Sequence, residues 1–230
     1  MFGGPPCETW SIARTNKDGP PIVRTPESPW LKEDVATKHF QQVELGNDLL
    51  TAFLRMFTEL YIAGGCALLE HPSFIDLHVE RNGPSIWRLN VVKDICKLPG
   101  VTTYDFAQGF YGAASRKPTT LLLLRLETIQ GRFAELFSQP EKPWTTLQGR
   151  DENGKFRTMA AKEYPSDMCR AISLAVLDFV MKTIIDGAFV HTKYDVMNDT
   201  KLVDTFVPLD PYYDVPIGAD CKLHTDYDDQ

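Results

Sequence analysis

At 230 residues, 43% apolar and 24% charged, the chain has the size and balance of one large globular domain, or of one domain with a tail. No run approaches the length of a membrane span, LLLLRL being far too short and broken by Arg125, and no basic-then-apolar signal pattern opens the sequence. The net charge of −7 is uneven: from Ala188 onward nine Asp stand against three Lys, which leaves the first 187 residues at −1. A dedicated nucleic-acid binder would carry a basic excess, so any such contact must rest on a local patch. Five cysteines, at 7, 66, 96, 169 and 221, lack metal-type spacing. They suggest reduced thiols in an intracellular protein.

The first stretch in chain order is also the one richest in chemistry, GGPPCETWSIAR. Pro5 and Pro6 fix φ and remove backbone donors, so Cys7 is expected on a stiff loop. Gly3 and Gly4 permit close backbone approach. A thiol held rigidly among polar and cationic groups is how a nucleophile is presented. A small buried hydrophobe in a Pro-rich segment is the plainer alternative. Residues 15–31, dense in Pro, Asp, Ser and Asn, read as a long loop of the kind that is functional or disordered.

From Lys32 to Ala63, Val35, Phe40, Val43, Leu49, Leu50, Phe53, Leu54, Phe57, Leu60 and Tyr61 recur at helical intervals. Glu33 and Asp34 would suit the start of that helix, Gly46 could bend it, and Gly64-Gly65 would stop it. CALLE (66–70) reads as a buried parallel strand. It ends in Glu70, where open α/β sheets place ligands, although a surface Glu at a strand end would look the same. Ser85 is expected to cap a helix over IWRLNVVKDICKL, and residues 101–106 read as a strand. FYGAASRKPTTLLLLRL then reads as a turn into a buried strand, with Arg116 and Lys117 on the turn. Two adjacent cations there could hold a phosphate or a base carbonyl, or could form an ordinary solvated pair. Residues 127–162 show no clear period, with a possible hairpin at Asn153-Gly154. Ser166 would cap a last helix with Met168, Ile172, Ala175, Val176, Phe179, Val180 and Ile184 inward. The acidic segment 188–230 reads as an irregular tail.

Pro6-Cys7-Glu8-Thr9-Trp10-Ser11 resembles the Pro-Cys loop of the cytosine-5 DNA methyltransferases, usually Pro-Cys-Gln-x-Phe-Ser, with Glu for Gln and Trp for Phe. LLEHP resembles the family's strand ending in Glu-Asn-Val, with His71 and Pro72 in place of Asn and Val. FYGAASRKPT resembles its Tyr-Gly-Val-Pro-Gln-x-Arg-x-Arg element: Ser115 stands for Gln, Lys117 for the first Arg and Thr119 for the second. KEYPSDMCRAI resembles its C-terminal helix. Together these suggest a divergent, phage- or mobile-element-type branch, covering about residues 2–185.

The resemblance implies an α/β fold: a partial Rossmann-like methyltransferase sheet with flanking helices, as a half-domain over 1–187 followed by the 188–230 tail. The strand and Gly-rich turn that bind S-adenosylmethionine in that family would precede the Cys loop, and no segment here replaces them. The chain is therefore expected to be a fragment or remnant, inactive alone, with a missing N-terminal half as partner or with self-association through exposed edges. Cys7 would be the nucleophile and Glu70 the acid on a flipped cytosine in DNA. Ser11, Arg14, Arg116 and Lys117 would contact the substrate. Two other classes remain open on sequence: a non-catalytic module derived from that fold, and an unrelated thiol enzyme pairing Cys7 with a histidine.

Overall fold

The computed structural model describes residues 1–16, 19–33, 35–139 and 162–187, together with 143–145, 147, 149, 152, 154 and 157. The acidic tail and Asn153 of the expected hairpin lie outside the described residues. Four strands, β1 (Phe2–Gly3), β2 (Ala67–Pro72), β3 (Val101–Ala107) and β4 (Pro118–Leu124), form one sheet in the order β1–β2–β4–β3. β1 runs parallel to β2 with Phe2 opposite Leu68, and helix α1 (Thr37–Ile62) lies on the connection between them. β4 is antiparallel to both β2 and β3, pairing Leu121 with Glu70 and with Tyr104. The fold is thus mixed α/β, and the strand expected to be parallel is so on one side only. The 108–117 connection turns β3 straight back into β4, as hairpin-linked strands must, and β4 then lies against β2 in the opposite sense.

Residues of β2 and β4 alternate between two cores, as the two-residue period of a strand requires. Ala67 and Leu69, with Leu122 and Leu124, face Leu50, Phe53, Leu54 and Phe57 of α1 and Val92 and Ile95 of α3 (Asn90–Ile95). Leu68, with Leu121 and Leu123, faces Phe133 of α4 (Ile129–Leu136) and Met168, Ala171 and Ala175 of α5 (Ser166–Ile185). The four leucines of β4 are at most 1% exposed. At roughly 2 kcal/mol for each fully buried leucine, this strand is the seam both helical layers share.

α1 starts at Thr37, five residues later than its pattern suggests, with no acidic side chain in its first turn. Glu33 therefore precedes the helix, and Asp34 lies outside the described residues. Gly46 does not interrupt it. A Cβ there would stand 3.2 Å from both Arg24 Nη2 and Thr9 Oγ1, so this glycine is needed for close approach and not for a bend. Phe40 and Leu49, expected on the inward face, are exposed, as is Ile184 of α5.

Arg24 anchors the 15–31 segment, the one expected to act as a free loop. It is fully buried, with Nη1 donating to the carbonyls of Pro29 and Trp30 and to Asn47 Oδ1 (2.6 Å). Nη2 donates to Thr9 Oγ1 and the Val43 carbonyl, both at 3.0 Å, and the guanidinium lies 4.0 Å from the Trp10 ring centroid. Burial pulls its pKa down to about 9. The loop is therefore fastened to α1 next to the Cys7 segment.

Ser85 accepts from Trp87 N as expected, but the turn it caps is a 3-10 turn (Ile86–Arg88) preceding the short α3. A short helix α2 (Asp76–Glu80), α4 and the two-residue β1 were not visible in the pattern. No helix among the described residues is long and apolar enough to cross a membrane.

His71, next to Glu70, points into the opposite core beside Trp87, with ring centroids 6.4 Å apart. It is 1% exposed, and burial pushes its pKa down to about 3. Its neutral form is therefore favoured by folding: the contribution is complete above the unfolded value near 6.5 and is lost as pH falls toward 3. Unfolding stability should fall by about 1.4 kcal/mol per pH unit below roughly pH 6 through this group alone. Denaturant titrations of the native protein and His71→Asn at pH 4 to 7 should show that excess slope in the native protein only.

Candidate active site

Two adjacent parallel strands, β1 and β2, end side by side, and each delivers one candidate group. β1 leads through Gly4 and the two prolines to Cys7, while Glu70 sits near the carboxyl end of β2. A Cβ on Gly4 would lie 3.3 Å from Glu70 Oε2, so the backbone leading to the cysteine passes directly against the carboxylate. The antiparallel β4 starts at this same end and brings Lys117, whose Nζ is 3.8 Å from Glu70 Oε1. Lys117 has φ 36, in the left-handed region that a non-glycine residue occupies only at some cost. Such strain is a recurrent mark of functional turns.

Glu70 is 6% exposed and held on both oxygens. Gln108 Nε2 donates to Oε1 at 3.2 Å and to Thr119 Oγ1 at 3.0 Å, and Tyr164 Oη donates to Oε2 at 2.9 Å. Burial raises the Glu70 pKa, with Lys117 and the hydroxyl bonds of Tyr164 and Thr119 working against it. Burial also pushes the half-buried Cys7 thiol up to about 11, followed in weight by the nearby Glu70 and Glu8 carboxylates, while Lys117 lowers it. At rest, then, Cys7 is a protonated thiol beside a buried acid. Nucleophilic attack requires that proton to leave as a ligand enters.

Of the residues expected to contact a substrate, Lys117 is at the site. Arg116 is exposed on the same turn, 5.8 Å from the Trp144 ring centroid. Ser11 Oγ accepts from Ala13 N and caps the 3-10 turn Ile12–Thr15. Arg14 is 5% exposed, its three nitrogens donating to the Glu8 and Pro21 carbonyls and to Gln42 Oε1, each at 2.7 Å. Both shape the Cys7 loop from behind. Trp10 is also core, 2% exposed. No protein-family model, curated protein or solved structure matches this chain.

Gln108 and Tyr164 complete the site and were not singled out in the sequence. Gln108 is wholly buried just after β3, and a lone Gln there carries no pattern. Tyr164 stands two residues before α5, 94 residues from the carboxylate it binds. The ionisable groups acting on Cys7 include no histidine among the described residues, whereas His71 lies on the other face of β2. His191 and His224 lie outside the described residues.

S-adenosylmethionine, implied by the resemblance, needs a Gly-rich turn from strand to helix for its ribose and amino-acid ends. Among the described residues β1 leads through Gly4 into Pro5-Pro6, β2 into Ser73-Phe74, and β4 through Arg125 into Leu126-Glu127-Thr128, while β3, whose exit carries Gly109 and Gly112, leads into a 3-10 turn (Gln108–Tyr111) that returns to β4 and opens no α-helix. These turns do not fit that group. No cluster of metal-ligating side chains occurs among the described residues.

Proposed function

We propose that the chain carries the base-binding, thiol-adding half of a DNA cytosine-5 methyltransferase-like site on a partial Rossmann-like sheet. The observation that carries this reading is the convergence of Cys7, Glu70 and Lys117 at one end of two neighbouring parallel strands. Such strand ends are where α/β sheets bind ligands. Cytosine offers this site a polarised carbon for the thiol, a ring nitrogen for the Glu70 proton and a carbonyl for the Lys117 ammonium. In the addition step the Cys7 proton passes to water, sulfur bonds to carbon six, and the ring electrons shift toward the nitrogen that takes the proton of Glu70. Carbon five becomes nucleophilic as a result. No methyl-transfer step is derived, because the described residues do not fit the donor.

A paired cytosine must first leave the stack, at a cost of a few kcal/mol that an unpaired base avoids. A duplex with cytosine opposite an abasic gap should therefore bind at least about tenfold more tightly than the paired duplex. Fluorescence anisotropy at fixed salt measures this, and equal affinities would contradict the pocket. A second reading, a module that binds but does not methylate, is favoured by the absence of a Gly-rich strand-to-helix turn among the described residues. Hydrogen exchange at carbon five of bound cytosine separates the two: detectable Cys7-dependent exchange rules out the second.

A further inference from the structure

We propose that Tyr164 and Gln108 are positioning residues that clamp the two oxygens of Glu70 from opposite elements and, by holding the carboxylate left once its proton is given up, make it a readier acid. This rests on the reading of Glu70 as the acid of the cytosine site, and adds to it the parts that control that acid. Gln108 arrives from just after β3 and holds Oε1, while Tyr164 arrives from the segment before α5 and holds Oε2. A phenol and an amide N–H both favour the ionised form, because a carboxylate accepts and a carboxylic acid must also donate. Each carboxylate oxygen has room for a further donor, so an amino group on an incoming ring can bind without displacing the clamp.

The surroundings show that Tyr164 is held in this position by more than its one bond. Its ring packs on Phe2 of β1 at 5.4 Å and lies 5.4 Å from Lys117 Nζ. Two residues earlier, Lys162 Nζ donates to Glu8 Oε1 at 2.7 Å, tying the same segment to the residue after Cys7. Gly4 leaves the space for the phenol: a Cβ there would lie 2.1 Å from Tyr164 Oη. The segment before α5 thus joins the Cys7 loop and the Glu70 carboxylate in one arrangement. The charged and titratable groups facing Glu70 are Lys117 from the β3–β4 turn, Cys7 from the loop after β1, and Tyr164 itself.

The test is the titration of the Glu70 carboxyl carbon in the full chain with 13C-labelled glutamate, assigned by its absence in Glu70→Gln. Tyr164→Phe removes one hydroxyl and keeps the ring on Phe2. Its Glu70 midpoint should rise by about one pH unit, the scale of one charge-assisted hydrogen bond. Gly4→Ala leaves the phenol in the chain but drives it off the carboxylate, and should move the midpoint the same way. Gln108→Leu should raise it through the other oxygen. A native midpoint in both Tyr164→Phe and Gly4→Ala, with native near-ultraviolet circular dichroism, would overturn the proposal. No DNA is present, so failure of the cytosine reading would leave these midpoints unmoved.

Discussion

Arg24→Ala should lower the unfolding free energy by about 3–5 kcal/mol, a large part of the 5–15 kcal/mol that holds a typical domain together. The change removes a donor from acceptors on three separate segments: Thr9 just after Cys7, Pro29 and Trp30 in the loop, and Val43 and Asn47 on α1. It also removes the cation stacked on Trp10. Arg24→Lys keeps the charge but cannot span five acceptors from one ammonium, and should recover less than half of the loss. Urea denaturation of the three proteins measures both. Thr9 lies two residues from Cys7, so Arg24→Ala should also raise the alkylation rate of Cys7, located by peptide mass spectrometry. A loss under about 1 kcal/mol would mean that the loop is not fastened to α1 as described.

Arg24 also marks the limit of what the sequence discloses. A segment of Pro, Ser and Asp has the composition of a free loop, and nothing local tells that one arginine within it is wholly buried. The strand runs were readable because their signal is local: CALLE, VTTYDF and TTLLLL became β2, β3 and β4, and the apolar periods of α1 and α5 located both long helices. α4 escaped because Ile129 and Phe133 are its only fully buried side chains, too few for a period to emerge. β1 escaped because two residues followed by prolines give no alternation at all.

The site divides along the same line. Cys7, Glu70 and Lys117 were expected together, and the sheet does bring them to one end. Ser11 and Arg14 were expected to face a substrate, yet their polar atoms are engaged within the Cys7 loop and with α1. Gln108 and Tyr164 needed three dimensions, since neither lies near Glu70 in sequence. Whether an Arg near a reactive Cys serves ligand or loop depends on where its nitrogens end, which spacing does not specify.

The second large effect is chemical, and it gives the most direct test of the central claim. If Cys7 adds to carbon six while Glu70 protonates the ring, carbon five becomes nucleophilic and takes a proton from water. Reversal then releases the original hydrogen, so exchange at carbon five requires the thiol and the acid but no methyl donor. With a thiol pKa of about 11, the thiolate at pH 7 is about one part in ten thousand, so exchange should be slow. The measurement is tritium release from carbon-five-labelled cytosine opposite an abasic gap in a DNA duplex. Release that disappears in both Cys7→Ser and Glu70→Gln is the predicted result. No release above the DNA-only control, or equal release from Cys7→Ser, would contradict a cytosine-directed thiol site.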